Sequence, residues 1–263
     1  MGKLLYEDLT YQIRGAYYDI YNAHGHDYPE DFYERMMTMD MQAKGLVCDN
    51  QVEYPVLYEG VLVGKQILDA VANKLVILEY KVAPQILPIH RAQLISYMKV
   101  SGLQVGLLMN FGGPAPDIVR LLNTMKGWEV VRDLDEQSVR RDLLYPDLTL
   151  QIMRGLQAIY NVLGPGFVLR VYANACRVEF RKRELNLARK RRLDIQHRGQ
   201  PIGQLAFQHF IVDEKVVVAP VCLGEISDSE KNKVRTIMRR HGLKLGLIAN
   251  FQDTSLRWKY ERM

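Results

Sequence analysis

Apolar and aromatic side chains recur at helical spacing near the start of the chain, at Leu9, Ile13, Tyr17, Ile20 and Tyr21. Gly25 supplies the stop signal for that helix. A second helical stretch covers about residues 30–44. Residues 51–58, 61–71 and 74–81 then read as successive strands, with turns at Glu59-Gly60 and Ala72-Asn73. Pro88 opens a further helix at its permitted first turn, running to about residue 100, and residues 104–110 form a buried strand. Helix, strand meander, helix and strand in this order predict an α/β sheet with helices packed on it.

The pattern occurs twice. Tyr21-Asn22 recurs as Tyr160-Asn161, Leu9-Thr10 as Leu148-Thr149, Tyr33 as Tyr172 and Gly64 as Gly203, all 139 positions later. After one inserted residue the offset becomes 140. There Gly102-Leu103, Gly106-Leu107 and Asn110-Phe111 match Gly242-Leu243, Gly246-Leu247 and Asn250-Phe251. A repeat of domain size exceeds any solenoid period. The chain therefore divides into unit 1 (5–125), a charged joining stretch (126–143) and unit 2 (144–262), with helices of unit 2 expected near 148–163 and 168–183. Each unit is expected to form a mixed sheet with flanking helices around an αβββαβ core.

Composition narrows the setting. Hydrophobic residues make up 48% and charged residues 25%, as in ordinary globular domains. No apolar run approaches the roughly 20 residues that span a bilayer. The first residues lack the apolar core of a signal peptide and a myristoylation site. These features predict a cytoplasmic protein with no membrane partner. Cys48, Cys176 and Cys222 are too few and too scattered for a disulfide framework or a zinc site, and read as free thiols. The net charge of +5 is unevenly held: unit 1 is slightly acidic, whereas unit 2 is strongly basic.

The candidate chemistry lies in unit 1. Asp69 precedes a short apolar strand that ends in Glu79 and Lys81. Alternation along a strand puts Glu79 and Lys81 on one face, and Asp69 stands near the end of the preceding strand. Two carboxylates and an ammonium at one point suit a hard cation and phosphodiester hydrolysis. The bland alternative is a solvated strand edge with a surface ion pair. Phosphate-loop, dinucleotide, zinc-protease and nucleophile-elbow motifs are missing from the sequence.

The order of elements and the Asp…Glu-x-Lys spacing resemble the PD-(D/E)XK nuclease superfamily, two restriction-endonuclease-like units in tandem. Within it, the chain resembles the G-x-x-E-x-x-Y protein family. The motif falls at Asp27 to Tyr33, where Glu30 and Tyr33 fit and Asp27 replaces the glycine. The block His90-Arg91-Ala92-Gln93-Leu94, Tyr97, Lys99 and then Gly102 to Gly112 follows the same family pattern. The resemblance implies Mg2+, or Mn2+, held by Asp69 and Glu79, with Glu30 joining them from its helix. It implies that Lys81 orients or polarises water and that Gln93 positions water or phosphate. Acids also favour first helical turns for the dipole, which is the plainer account of Glu30. His90 reads as a capping or packing residue, and Tyr33 as core.

Unit 2 loses this chemistry. Leu169 stands for Glu30, Gln208 for Asp69, Ala219 for Glu79, Val221 for Lys81 and Lys233 for Gln93. Leucine, alanine and valine cannot ligate a hard cation. Unit 2 does carry a basic run, within which Arg181, Lys182, Arg183, Arg189, Lys190, Arg191 and Arg192 are candidate nucleic-acid contacts. Two readings stay open. In one, unit 1 is a Mg2+-dependent nuclease, acting on DNA rather than RNA, with unit 2 as a clamp or scaffold. In the other, the chain is an inactive pseudonuclease that binds nucleic acid or protein.

Overall fold

The computed structural model describes residues 4–124, 127–132, 134 and 144–263. Most of the joining stretch 126–143 lies outside the described residues. The described chain forms two compact units, one made of Met1–Val56 and Lys65–Gly127, the other of Leu57–Gly64 and Trp128–Met263. The second thus takes in the turn between two strands of the first repeat.

In the first repeat, α1 (Glu7–His24) buries Ile13, Tyr17, Ile20 and Tyr21, as its spacing predicts, and Ala16 beside them, while Leu9 is half-buried. Gly25 takes φ 69° and donates its N–H to the Tyr21 carbonyl. Next come α2 (Glu30–Ala43), β1 (Cys48–Tyr58), β2 (Val61–Ala72), β3 (Val76–Lys81), α3 (Pro88–Ser101), β4 (Val105–Asn110) and β5 (Asp117–Leu122). The sheet runs β1-β2-β3-β4-β5. Strand β4 is parallel to β3, across the α3 connection, and antiparallel to β5. Helices α1 and α2 pack on one face through Ile13, Tyr17, Tyr33, Met37 and Met41 against Ala70, Leu78, Tyr80, Leu107 and Met109.

The second repeat follows the same plan: α4 (Pro146–Leu163), α5 (Leu169–Lys182), β6 (Leu187–His197), β7 (Gln200–Val212), β8 (Val216–Val221), α6 (Asp228–His241), β9 (Leu245–Asn250) and β10 (Arg257–Arg262). Its strand order is β10-β9-β8-β7-β6. Both sheets are mixed and flanked by helices, so the expected α/β class holds. Each also has a fifth strand, β5 or β10, beyond the expected core. Strand β5 reads Asp-Ile-Val-Arg-Leu-Leu, whereas β10 reads Arg-Trp-Lys-Tyr-Glu-Arg, a charged edge that discourages further pairing.

The repeated residues have structural duties. Gly102 and Gly242 cap α3 and α6 at φ 75° and 65°. A Cβ on Gly106 would stand 2.9 Å from the Leu94 side chain, so glycine is what lets β4 lie close under α3. Asn110 ties the ends of β3 and β4 by accepting from the Ala83 and Gly112 amides and donating to the Ala83 carbonyl. Asn250 makes the matching bonds to Leu223 and Gln252. Phe111 stacks on Tyr33 at 4.2 Å between ring centroids, and Phe251 on Tyr172 at 4.3 Å. Tyr33 donates its hydroxyl to the Gly25 carbonyl and accepts from the Tyr28 amide, bracing the turn between α1 and α2. Tyr172 does the same with Gly164 and Phe167. The motif tyrosine is therefore a structural brace in both repeats.

Candidate active site

Antiparallel pairing of β2 with β3 places Ala70 opposite Leu78 and Val71 opposite Ile77. One step further in that register, Asp69 stands opposite Glu79. Both point away from the α1–α2 core, because alternation gives Ala70, Leu78 and Tyr80 to that core. Lys81, two residues beyond Glu79, shares their face.

The three side chains meet. Lys81 Nζ lies 2.6 Å from Glu79 Oε1 and also donates to the Tyr80 carbonyl at 2.8 Å. Asp69 Oδ2 accepts the Tyr80 amide at 3.0 Å. Glu79 is only 2% exposed, and its Oε2 is buried with no hydrogen-bond partner. Burial first, and then the charge of Asp69, push the Glu79 carboxyl up to about 8; Lys81 pulls the other way and does not win. Burial also raises Asp69, against the Tyr80 amide, Lys81 and a carboxyl–carboxylate contact with Glu79. Burial alone would depress Lys81, but Glu79, Asp69 and Glu30 together raise it. The solvated strand edge considered from the sequence does not describe Glu79 or Lys81, whose side chains are 3% and 17% exposed.

Glu30 begins α2 on the exposed side. Its carboxyl is raised by partial desolvation and by Asp69, with Lys81 opposing, so it lies within the electrostatic reach of the pair. It is not gathered with them into a ligand shell: among the described residues no group of three or more His, Cys, Asp and Glu side chains is arranged to hold a metal. Two carboxylates, one with a buried unpartnered oxygen, still provide hard donors of the kind a divalent cation prefers. Gln93, on α3, donates to the Tyr97 hydroxyl. The sequence motif that contains Tyr97 assigns it no role. It is buried, and burial and then Glu79 keep its hydroxyl protonated. Its spacing four residues after Gln93 on a helix was the available signal. His90 Nδ1 accepts the Leu87 amide and caps α3; burial and Lys81 lower its pKa.

The second repeat corrects one sequence equivalence. Strand β7 pairs with β8 with Phe210 opposite Val218, so His209, not Gln208, stands opposite Ala219 in the place of Asp69. The extra residue is absorbed earlier in β7, where the β6–β7 register shifts between Lys190 and Arg192. A constant offset in sequence could not reveal that. His209 is buried, stacks on Phe207 and is kept neutral by burial. Lys233 sits over the Phe207 ring and pairs with Glu230.

The candidate cations of the second repeat fall into different settings. Lys182 pairs with Glu59 at 2.9 Å, and Arg183 with the buried Glu179 at 2.7 Å. Arg192 donates to Gln204, while Arg181, Lys190 and Arg191 are exposed. Arg189 is half-buried and donates to Asn174 at 2.8 Å and to Gln208 at 3.4 Å.

Mixed sheets flanked by helices, with facing Asp and Glu-x-Lys on adjacent strands, define a nuclease-like α/β class. A family model described as the PD-(D/E)XK nuclease superfamily matches residues 7–121 and again 146–263, and the chain belongs to that superfamily. No curated protein and no solved structure matches the chain. Among the described residues no helix is long and apolar enough to cross a membrane.

Proposed function

We propose that the first unit (5–125) hydrolyses phosphodiesters of nucleic acid, DNA in preference to RNA, with Mg2+ or Mn2+. On this reading the chain is a cytoplasmic member of the G-x-x-E-x-x-Y family, and the second unit (144–262) is a non-catalytic clamp or scaffold. The observation that carries the proposal is the buried Glu79, opposite Asp69, with one oxygen on Lys81 and the other unpartnered. Asp69 and Glu79 would hold the cation, with Glu30 near enough to add negative charge. A bound divalent cation supplies a lowered water pKa and neutralises charge on the phosphate. Lys81, kept cationic by three acids, stabilises negative charge at the phosphate and orients water. Gln93, steadied by Tyr97, offers its amide to water or phosphate.

A cleavage assay on labelled duplex DNA with Mg2+ or Mn2+ tests this. Wild-type cleavage that disappears in Asp69→Ala and Glu79→Ala is the expected result. Metal-independent cleavage, or variants as active as wild type, would overturn it. The rival, a pseudonuclease that only binds nucleic acid or protein, draws support from the lack of a three-donor group among the described residues and from Lys81 already occupying one Glu79 oxygen. It predicts no cleavage under any metal.

A further inference from the structure

The second repeat has lost the carboxylates on the α6 side of its sheet, but the opposite side carries a different feature. Arg170, Asn174 and Arg177 recur at helical spacing along α5. Arg189 lies opposite Phe210 in the β6–β7 ladder and over its ring, and Phe210 packs against Phe180 of α5. Arg189 therefore belongs to the α5 side of the sheet, and Arg191 stands where the β6–β7 register shifts, near enough to add its charge to Arg189. Their charges act on one another: burial, then Arg191, Arg177 and Arg170, make Arg189 a poorer holder of its proton.

The partners of Arg189 are neutral. Asn174 accepts from Nη1 and is itself fixed by donating to the Val63 carbonyl; Gln208 accepts from Nη2. Amide acceptors hold a guanidinium in place without cancelling its charge. Nearby, Lys182 and Arg183 are neutralised by Glu59 and Glu179. Among the described residues no carboxylate lies in ion-pair range of Arg170, Arg177, Arg189 or Arg191. Nor does the fold require cations here. The matching positions of the first repeat, 31, 38, 50 and 52, hold Asp31, Thr38, Asn50 and Val52, and Thr38 simply hydrogen-bonds Asn50. Four arginines that repel one another, around one fixed by neutral groups, are matched by a string of anionic oxygens with spread charge.

We propose that the surface formed by α5 and β6, with Arg170, Arg177, Arg189 and Arg191, binds the phosphodiester backbone of nucleic acid. The proposal deepens, and rests on, the reading of the second unit as a clamp, and it moves the contact from the paired Lys182 and Arg183 to this surface.

The test is binding of the full chain to a fluorescein-labelled 30-base-pair duplex in EDTA, across a salt series. R177Q/R191Q alters two exposed side chains, and R239Q/R240Q on α6 removes the same charge elsewhere. The expected result is a loss of about tenfold or more for R177Q/R191Q and a salt slope shallower by about 2, with R239Q/R240Q within roughly threefold of wild type. R189K should bind better than R189Q. Equal losses in the two double variants would report overall charge alone and overturn the site. So would wild-type affinity in R177Q/R191Q, or tighter binding to phosphatidylserine vesicles than to the duplex. EDTA separates this outcome from catalysis, so a first unit without nuclease activity leaves the expected pattern unchanged.

Discussion

Lys81 and Glu79 form a 2.6 Å ion pair in which only one carboxylate oxygen is used. The other is buried without a donor. Leaving a buried acceptor unpaired costs about 1–3 kcal/mol. The arrangement is therefore poor as a purely structural ion pair: burial and the charge of Asp69 make Glu79 hold its proton, and a positive partner that takes the proton's place would suit the site better.

The pH dependence of stability follows. The folded-state pKa of Glu79 is raised from 4.5 to about 8, so the folded chain binds more protons than the unfolded chain in that window. Its contribution makes stability fall as pH rises from about 4.5 to about 8. Glu79→Gln removes the titration while keeping the shape. The Tm of Glu79→Gln relative to wild type should therefore be higher at pH 8 than at pH 5. A constant Tm difference across that range would contradict the assignment.

Metal uptake should be accompanied by proton release. A cation at Asp69 and Glu79 must displace the proton that Glu79 retains at neutral pH. Titration calorimetry with Mn2+ at pH 7 in two buffers of different ionisation enthalpy should give different apparent heats, corresponding to a fraction of a proton or more. Glu79→Gln should abolish that difference. Identical heats for wild type in both buffers would count against metal binding at this carboxylate.

The tyrosine braces can be tested without reference to chemistry. Tyr172→Phe removes a hydroxyl bonded to Gly164 and Phe167 while leaving the stack on Phe251. The expected destabilisation is about 1–3 kcal/mol by denaturant melting. Phe251→Ala, which empties a fully buried ring site, should cost about 3–5 kcal/mol. Tyr33→Phe should resemble Tyr172→Phe and leave metal binding intact.

Glu179 is 1% exposed and accepts from both Tyr58 and Arg183. Removing it leaves the buried Tyr58 hydroxyl and the partly exposed Arg183 guanidinium without their acceptor. Glu179→Ala should cost about 3–5 kcal/mol, and Glu179→Gln considerably less. Equal, small effects from both would show that water replaces the carboxylate.

Much of this was legible from residues because the informative signals were local. Periodicity located α1 through Ile13, Tyr17 and Ile20, and Pro88 marked the start of α3. The facing of Asp69 and Glu79 followed from alternation and a short turn. What escaped the sequence depended on pairing across strands. Whether Glu30 joined the carboxylates depended on where the first turn of α2 met the sheet, which spacing along the chain does not encode. β10 escaped because an edge strand need not be apolar. The neutral holders of Arg189 come from another helix and another strand, so the crowding of cations alone could not separate neutralised ones from free ones.

The displaced register in β7 also bears on protein engineering. Rebuilding a carboxylate centre in the second copy calls for changes at His209, Ala219 and Val221, which occupy the facing positions. An acid grafted at Gln208, the position that simple counting selects, would emerge beside Arg189 on the far surface of the sheet and become a counter-ion there.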